Sequence, residues 1–151
     1  MHLTLHADYS LRLLLYLAAR PERLVSTQEV SEAYGISKNH LVRVAQTMGK
    51  HGFVDVRPGR SGGLTLARPP ADISLGKVFR AAEPDFHLAE CFDREKNTCP
   101  IAPACGLKGV LFEAREAFLA VLDKYTLADL TKRSRPDLLS LFLPTSAAGG
   151  S

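Results

Sequence analysis

Cys91, Cys99 and Cys105 are the only cysteines of the chain and lie within fifteen residues, spaced Cys-x7-Cys-x5-Cys. The stretch around them is polar and carries Pro100 and Pro103. Free cysteines are usually scattered through a core, whereas thiols gathered in one loop suit a soft metal that ties the loop down. Thiolates take zinc or an iron–sulfur cluster. Structural zinc favours cysteine pairs two to four residues apart, and no such pair is present. A Cys3His zinc site would have to recruit His87, otherwise an ordinary loop histidine. A cubane cluster is larger and tolerates wide spacings, so these residues favour a cluster and leave zinc as the alternative. A weak, non-thiolate fourth ligand would leave one iron accessible, which suits a sensor. His2, His6, His40 and His51 have no metal spacing, and no Ser/His/Asp order, P-loop or carboxylate pair points to an enzyme.

A second group of residues could read DNA. Asn39, Arg43, Gln46 and Lys50 recur at i, i+4, i+7 and i+11. At helical spacing they make one stripe of long hydrogen-bonding side chains. Asn pairs bidentately with adenine and Arg with guanine in the major groove, so Asn39 and Arg43 are the best base readers. Lys38, His40, Gln46 and Lys50 can serve bases or phosphates. Pro58-Gly59-Arg60-Ser61-Gly62-Gly63 is turn chemistry, and it places Arg57 and Arg60 at a tip suited to a narrow, electronegative minor groove. Ser37, Gln28 and Arg12 complete the candidate set. Charge agrees: residues 1–80 carry eleven Lys/Arg against six Asp/Glu, while 81–151 carry eight against ten. Residues 37–68 hold six bases and Asp55 as the sole acid. A basic half suggests a polyanionic partner.

The elements that must position these residues are legible in outline. A first helix is expected from Asp8, as N-cap, to Ala19, burying Leu11, Leu14, Leu15 and Ala18. Ser26-Thr27-Gln28-Glu29 reads as a capping box for a short second helix, with Glu29 reaching back and Val30 and Ala33 facing inward. Gly35 supplies a turn. Ser37 caps a third helix that buries Leu41, Val44, Ala45 and Met48 and stops at Gly52. Strands near Phe53–Arg57 and Leu64–Ala67 form a hairpin. Another helix starts near Ser74. The cysteine loop, about Pro84 to Gly106, is long for a compact domain, as functional or tied-down loops are. A long helix follows from Leu107 to about Leu122. Its Leu107, Leu111, Ala114, Phe118, Val121 and Tyr125 form a heptad-type stripe for dimerisation.

The fold expected is mainly α: a winged helix-turn-helix with a small β-hairpin wing and a long C-terminal dimerisation helix. The expected organisation is a DNA-binding domain at 1–80, a cluster-binding loop at 81–106, a dimerisation helix and C-terminal segment at 107–143, and an unstructured tail at 144–151. With 151 residues, 46% hydrophobic and 23% charged, the chain is an ordinary globular sequence. No apolar run is long enough for a membrane span, and the start is not a signal peptide. The expected location is the cytoplasm, where disulfides are rare.

Several stretches together resemble a known family. They are Leu3-Thr4, Asp8-Tyr9-Ser10-Leu11-Arg12, Gly35-Ile36-Ser37-Lys38-Asn39-His40, Gly59-Arg60-Ser61-Gly62-Gly63-Leu64-Thr65-Leu66-Ala67 and Tyr125-Thr126-Leu127-Ala128-Asp129-Leu130, with the three cysteines. Over about residues 1–143 the chain resembles the winged-helix iron–sulfur regulators that include NsrR and IscR. The x7 then x5 spacing, and Pro100 to Cys105 followed by Leu107-Lys108, are most similar to the NsrR-type, nitric-oxide-sensing repressors. The resemblance implies a homodimer joined through the long helix and a [4Fe–4S] cluster on Cys91, Cys99 and Cys105. It also implies a fourth ligand at Asp8, given by the other protomer. It further implies repression at a palindromic operator, relieved by nitric oxide, at nitric oxide detoxification genes. Sensing of cluster supply, as in the IscR type, is the alternative. Pro58, before the wing glycine, departs from the pattern.

Overall fold

The computed structural model describes residues 2–133 and 140–141. The part of the expected C-terminal segment beyond Arg133, apart from Ser140 and Leu141, and the tail expected from Pro144 lie outside the described residues. In chain order the elements are α1 (Leu5–Ala18), α2 (Thr27–Tyr34), α3 (Lys38–Lys50), β1 (Val54–Arg57), β2 (Gly63–Leu66), α4 (Leu75–Ala82), α5 (Gly106–Asp123) and α6 (Leu127–Arg133). Short 3-10 turns occur at Pro70–Asp72, Glu90–Phe92 and Ala102–Ala104.

The start of α1 corrects the expected cap. Thr4, not Asp8, is the N-cap, and its side chain accepts from the Ala7 N–H. Asp8 sits inside the first turn, where its charge still suits the helix N-terminus. The buried face also differs: Ala7, Ser10, Leu13, Leu14, Tyr16 and Leu17 go deepest, while Leu11, Leu15 and Ala18 are half-buried. The reason is that α1 is central and packs against α3, α4, α6 and β2, so it is covered on several sides.

The caps of α2 and α3 are the expected serines, and Ser74 caps α4 in the same way: Ser26, Ser37 and Ser74 accept from the N–H groups of Glu29, His40 and Lys77. The reciprocal half of the first capping box is not made. The Glu29 carboxylate accepts instead from the Tyr16 hydroxyl at 2.8 Å and from Arg23, joining α1 to α2. Those hydrogen bonds, Arg23 first, hold the Glu29 carboxyl below its ordinary pKa. Gly35 ends α2 at φ +66, a left-handed conformation that glycine adopts without strain. Leu41, Val44, Ala45 and Met48 of α3 all enter the core.

The wing is an antiparallel hairpin in the register Val54↔Leu66, Asp55↔Thr65, Val56↔Leu64 and Arg57↔Gly63. Val25 bridges to Leu64 through two backbone hydrogen bonds of 3.0 and 2.7 Å, which fixes the wing to the segment before α2. After α5 the chain returns to the same core. Ser74 bridges to Thr126, and Leu127, fully buried, donates its N–H to the Ile73 carbonyl. Helix α6 then packs on α1. The C-terminal end of the long helix is thereby built into the helix-turn-helix unit. Among the described residues no helix is long and apolar enough to cross a membrane.

Candidate DNA interface and cysteine loop

The helix-turn-helix presents α3 outward. Its apolar stripe is buried, so Lys38, Asn39, Arg43, Gln46 and Lys50 are left exposed on the other side. His40 is half-buried, edge-on to the Tyr9 ring at 5.1 Å. Arg57 and Arg60 are exposed on the wing, and Gln28 is exposed on α2 with its amide donating to Glu32 at 2.8 Å. Of the candidates, Gln46 of α3 and Arg57 and Arg60 of the wing line one open groove of about 340 Å³, while Lys38, Asn39, Arg43 and Lys50 do not line it. Ser26 and Thr27 line it from α2, Val42 and Gln46 from α3, and Val56, Arg57 and Arg60 from the wing. Val42 and Val56, 36% and 50% exposed, were not among the residues expected to read DNA.

Arg12 is differently placed. Its guanidinium makes a two-pronged pair with Asp8, at 3.0 and 2.8 Å, and lies within 5.9 Å of both the Tyr9 and Tyr34 rings. Its side chain is thus paired within α1 while remaining 43% exposed. The Tyr34 hydroxyl donates to the Arg12 carbonyl, and burial pushes the Tyr34 phenol up to about 12.

The three cysteines are free, half-buried thiols. Cys91 lies in one 3-10 turn, Cys99 precedes the next, and Cys105 is the N-cap position of α5. The loop is organised by its own polar groups. Glu90 accepts from the Thr98 N–H at 2.6 Å and the Thr98 hydroxyl at 2.7 Å. These bonds hold the Glu90 carboxyl below its ordinary pKa and staple the neighbour of Cys91 to the neighbour of Cys99. Asn97 accepts from the Cys99 N–H at 3.1 Å. Arg115 of α5 lies near the Phe92 and Phe112 rings, at 5.1 and 4.8 Å, and donates to the Phe86 carbonyl, so the loop is held against α5.

Cys91 and Cys105 line one open cavity of about 610 Å³ together with Arg94, Lys108 and Arg115. Cys99 is not among its lining residues. Among the described residues, no three His, Cys, Asp or Glu side chains converge closely enough to hold a single metal ion. Asp8 is engaged by Arg12 of its own chain.

The long helix is divided in its contacts. One side packs on α4 through buried Leu119 and a two-pronged Arg80–Asp123 pair of 2.6 and 2.9 Å. Of the expected dimer stripe, Phe118 packs within the chain against Phe79 and Phe86, with ring centroids at 5.2 and 5.5 Å. Tyr125 is half-buried, under the Arg133 guanidinium. Leu111 is half-buried, and Ala114 is exposed. Leu107 and Val121 are 61% and 50% exposed, joined by Val110 at 62%. These last three share one side of the helix by their spacing.

Comparisons with known proteins follow this geometry. Residues 3–133 match the Rrf2 family, described as an iron-dependent transcriptional regulator. The chain is 51% identical over 142 residues to the HTH-type transcriptional regulator NsrR of Bacillus subtilis, covering 93% of this chain and 97% of that protein. It is 50% identical over 131 residues to NsrR of Shouchella clausii, covering 86% and 88%. Among solved structures, T. potens IscR superposes with a TM-score of 0.71 at 26% identity, covering 89% of each chain. These relatives are regulators of transcription and not enzymes, in keeping with a sequence that carries no catalytic constellation. The match across nearly all of α1 to α6, together with the exposed α3 and its wing, leads to one conclusion: the chain belongs to the Rrf2 family of transcriptional regulators, and within it is of the NsrR type.

Proposed function

We propose that the chain is a homodimeric repressor that binds a palindromic operator and senses nitric oxide through a [4Fe–4S] cluster on Cys91, Cys99 and Cys105. The observation that carries this reading is the pair of thiols, Cys91 and Cys105, on one cavity lined by Arg94, Lys108 and Arg115. The donor set fits the group. Thiolates suit iron–sulfur clusters, and the flanking cations offset the negative charge that thiolate ligation brings. The first free N–H groups of α5, next to Cys105, favour negative charge at the same place. A lone metal ion fits less well, because the donors do not converge on a point. When bound, the cluster supplies iron atoms open to attack by nitric oxide.

The chain's own residues perform the rest. Glu90 and Asn97 organise the cysteine loop from within, and Arg115 holds it against α5. Leu107, Val110 and Val121 offer the apolar surface on which a second copy packs, setting the two α3 helices about one turn of DNA apart, roughly 34 Å. The partner's Asp8 would be the fourth ligand, a hard donor to soft iron and so a weak one, once released from the pair that this carboxylate makes with Arg12. The Arg80–Asp123 pair joins α5 to α4 and so ties the segment that follows the cysteine loop to the DNA-reading unit. The name of the NsrR relatives supports this reading, and nitric oxide detoxification genes are the proposed targets.

The test is anaerobic purification followed by nitric oxide titration. Iron and acid-labile sulfide near four each per chain, with operator affinity falling on nitric oxide addition, are expected. Cys99→Ala should abolish iron retention and operator binding together. Unchanged affinity after nitric oxide would favour sensing of cluster supply, and colourless protein with stoichiometric zinc would refute the cluster.

A further inference from the structure

The reading face of α3 is polar except at one place. Val42 lies one turn after Lys38 and one turn before Gln46, between residues proposed to touch DNA, and is 36% exposed. An apolar β-branched side chain at such a position has no helix-forming advantage and gains nothing from water. The wing explains why the neighbouring positions on this side of α3 are small and Val42 is not. Val56 lies against Gly49, whose added Cβ would meet the Val56 methyl at 3.4 Å and the Val54 carbonyl at 3.5 Å. The strand therefore covers the C-terminal part of that side. Val42 and Gly49 are seven residues apart and share the side, but Val42 sits beyond the covered part, facing the 340 Å³ groove with Gln46, Arg57 and Arg60.

We propose that Val42 is a specificity-determining residue that packs against the C5-methyl group of a thymine in the operator's major groove. The argument rests on the DNA-reading role of α3 set out above. The major groove edge is otherwise hydrogen-bonding, and the thymine methyl is the apolar group it offers. Val42 is continuous with the polar readers, so a duplex engaged by Asn39 and Gln46 brings base edges to it. Closure of that contact removes two apolar surfaces from water at once. The valine thus adds selectivity for T·A over C·G at one position that no hydrogen bond of its own could supply.

The experiment first selects duplexes from a random-sequence library with the wild-type dimer. Each thymine in a selected half-site is then replaced singly by deoxyuridine, which deletes one methyl and leaves every hydrogen bond. One thymine is expected to show a three- to tenfold loss of affinity. With Val42→Ala, which removes both γ-methyls, that thymine is expected to lose its effect, and with Val42→Thr, which keeps one γ-methyl, to retain most of it. A selected sequence in which no deoxyuridine substitution weakens binding, or in which the loss persists in Val42→Ala, overturns the proposal while leaving DNA reading intact. Failure to enrich any sequence overturns both.

Discussion

Gly62 tests whether the wing works as a shaped device. An added Cβ at this position would lie 2.0 Å from the Arg57 carbonyl oxygen and 2.7 Å from that of Pro58, where ordinary contact begins at 3.4 Å. Both obstacles are backbone, so no rotamer change relieves them. In Gly62→Ala the turn must open by about 1.4 Å, the gap between 2.0 and 3.4 Å. The Gly62 N–H to Gly59 carbonyl bond, now 3.1 Å, and the terminal Arg57↔Gly63 pair would be lost. The stability cost is confined to the tip, at about 1–2 kcal/mol for the hydrogen bond and residual strain. The functional cost is larger, because the same movement re-aims both Arg57 and Arg60. Losing well-placed arginine contacts weakens DNA binding by about 1–3 kcal/mol, or five- to 150-fold. Fluorescence anisotropy with the selected duplex, well below the melting temperature, reads this directly. Because the wing arginines are proposed to meet the backbone or minor groove, random duplex should weaken as well. Affinity within twofold of wild type on both duplexes, with circular dichroism unchanged, would refute the idea that the wing geometry carries binding.

Other perturbations probe separate parts of the molecule. Arg43→Ala should cost about 1–3 kcal/mol on the selected duplex and less on random DNA; equal losses would assign Arg43 to a phosphate. Val110→Glu combined with Val121→Glu places charge on the exposed side of α5 and should halve the mass found by light scattering, while a persistent dimer would move the interface elsewhere. Glu90→Ala removes the staple to Thr98 and should lower iron and sulfide per chain at equal supply, with faster loss in air; unchanged content would show the loop to be organised by other bonds. Tyr34 gives a pH test. Its folded pKa, about 12, lies above the ordinary value of 10, so its contribution is complete below pH 10 and disappears as pH rises toward 12. After allowance for its partial exposure this is about 1–2 kcal/mol. Urea unfolding at pH 9 and pH 11 should show about half of that loss in wild type, since pH 11 lies midway between the two pKa values, and a smaller one in Tyr34→Phe.

What the sequence alone determined about this protein was local or additive. Ser26 and Ser37 are caps because each precedes a helix whose first N–H groups need an acceptor within three residues. The stripe Leu41, Val44, Ala45 and Met48 follows from helical period, and the wing from its glycines and Pro58. The resemblance that led to the family was carried by contiguous stretches and by cysteine spacing, which survive translation into one dimension. Tertiary structure decided matters that depend on what arrives from elsewhere. Thr4 displaces Asp8 as cap because the helix begins four residues earlier than its apolar period suggests, and Thr4 is held there by a hydrogen bond from its N–H to Glu83 of a distant segment. Glu29 turns from its own helix to Tyr16 and Arg23 because those donors come within reach only after α1 and α2 pack. Phe118 fits a dimer stripe by period, yet Phe79 and Phe86 come up beside it. Period cannot tell a neighbour in the same chain from one in a second copy, since both present the same apolar surface. Val42, which the period leaves off the buried stripe, shows the same limit: only the packed structure shows that β1 covers the Gly49 end of that side and leaves Val42 in solvent.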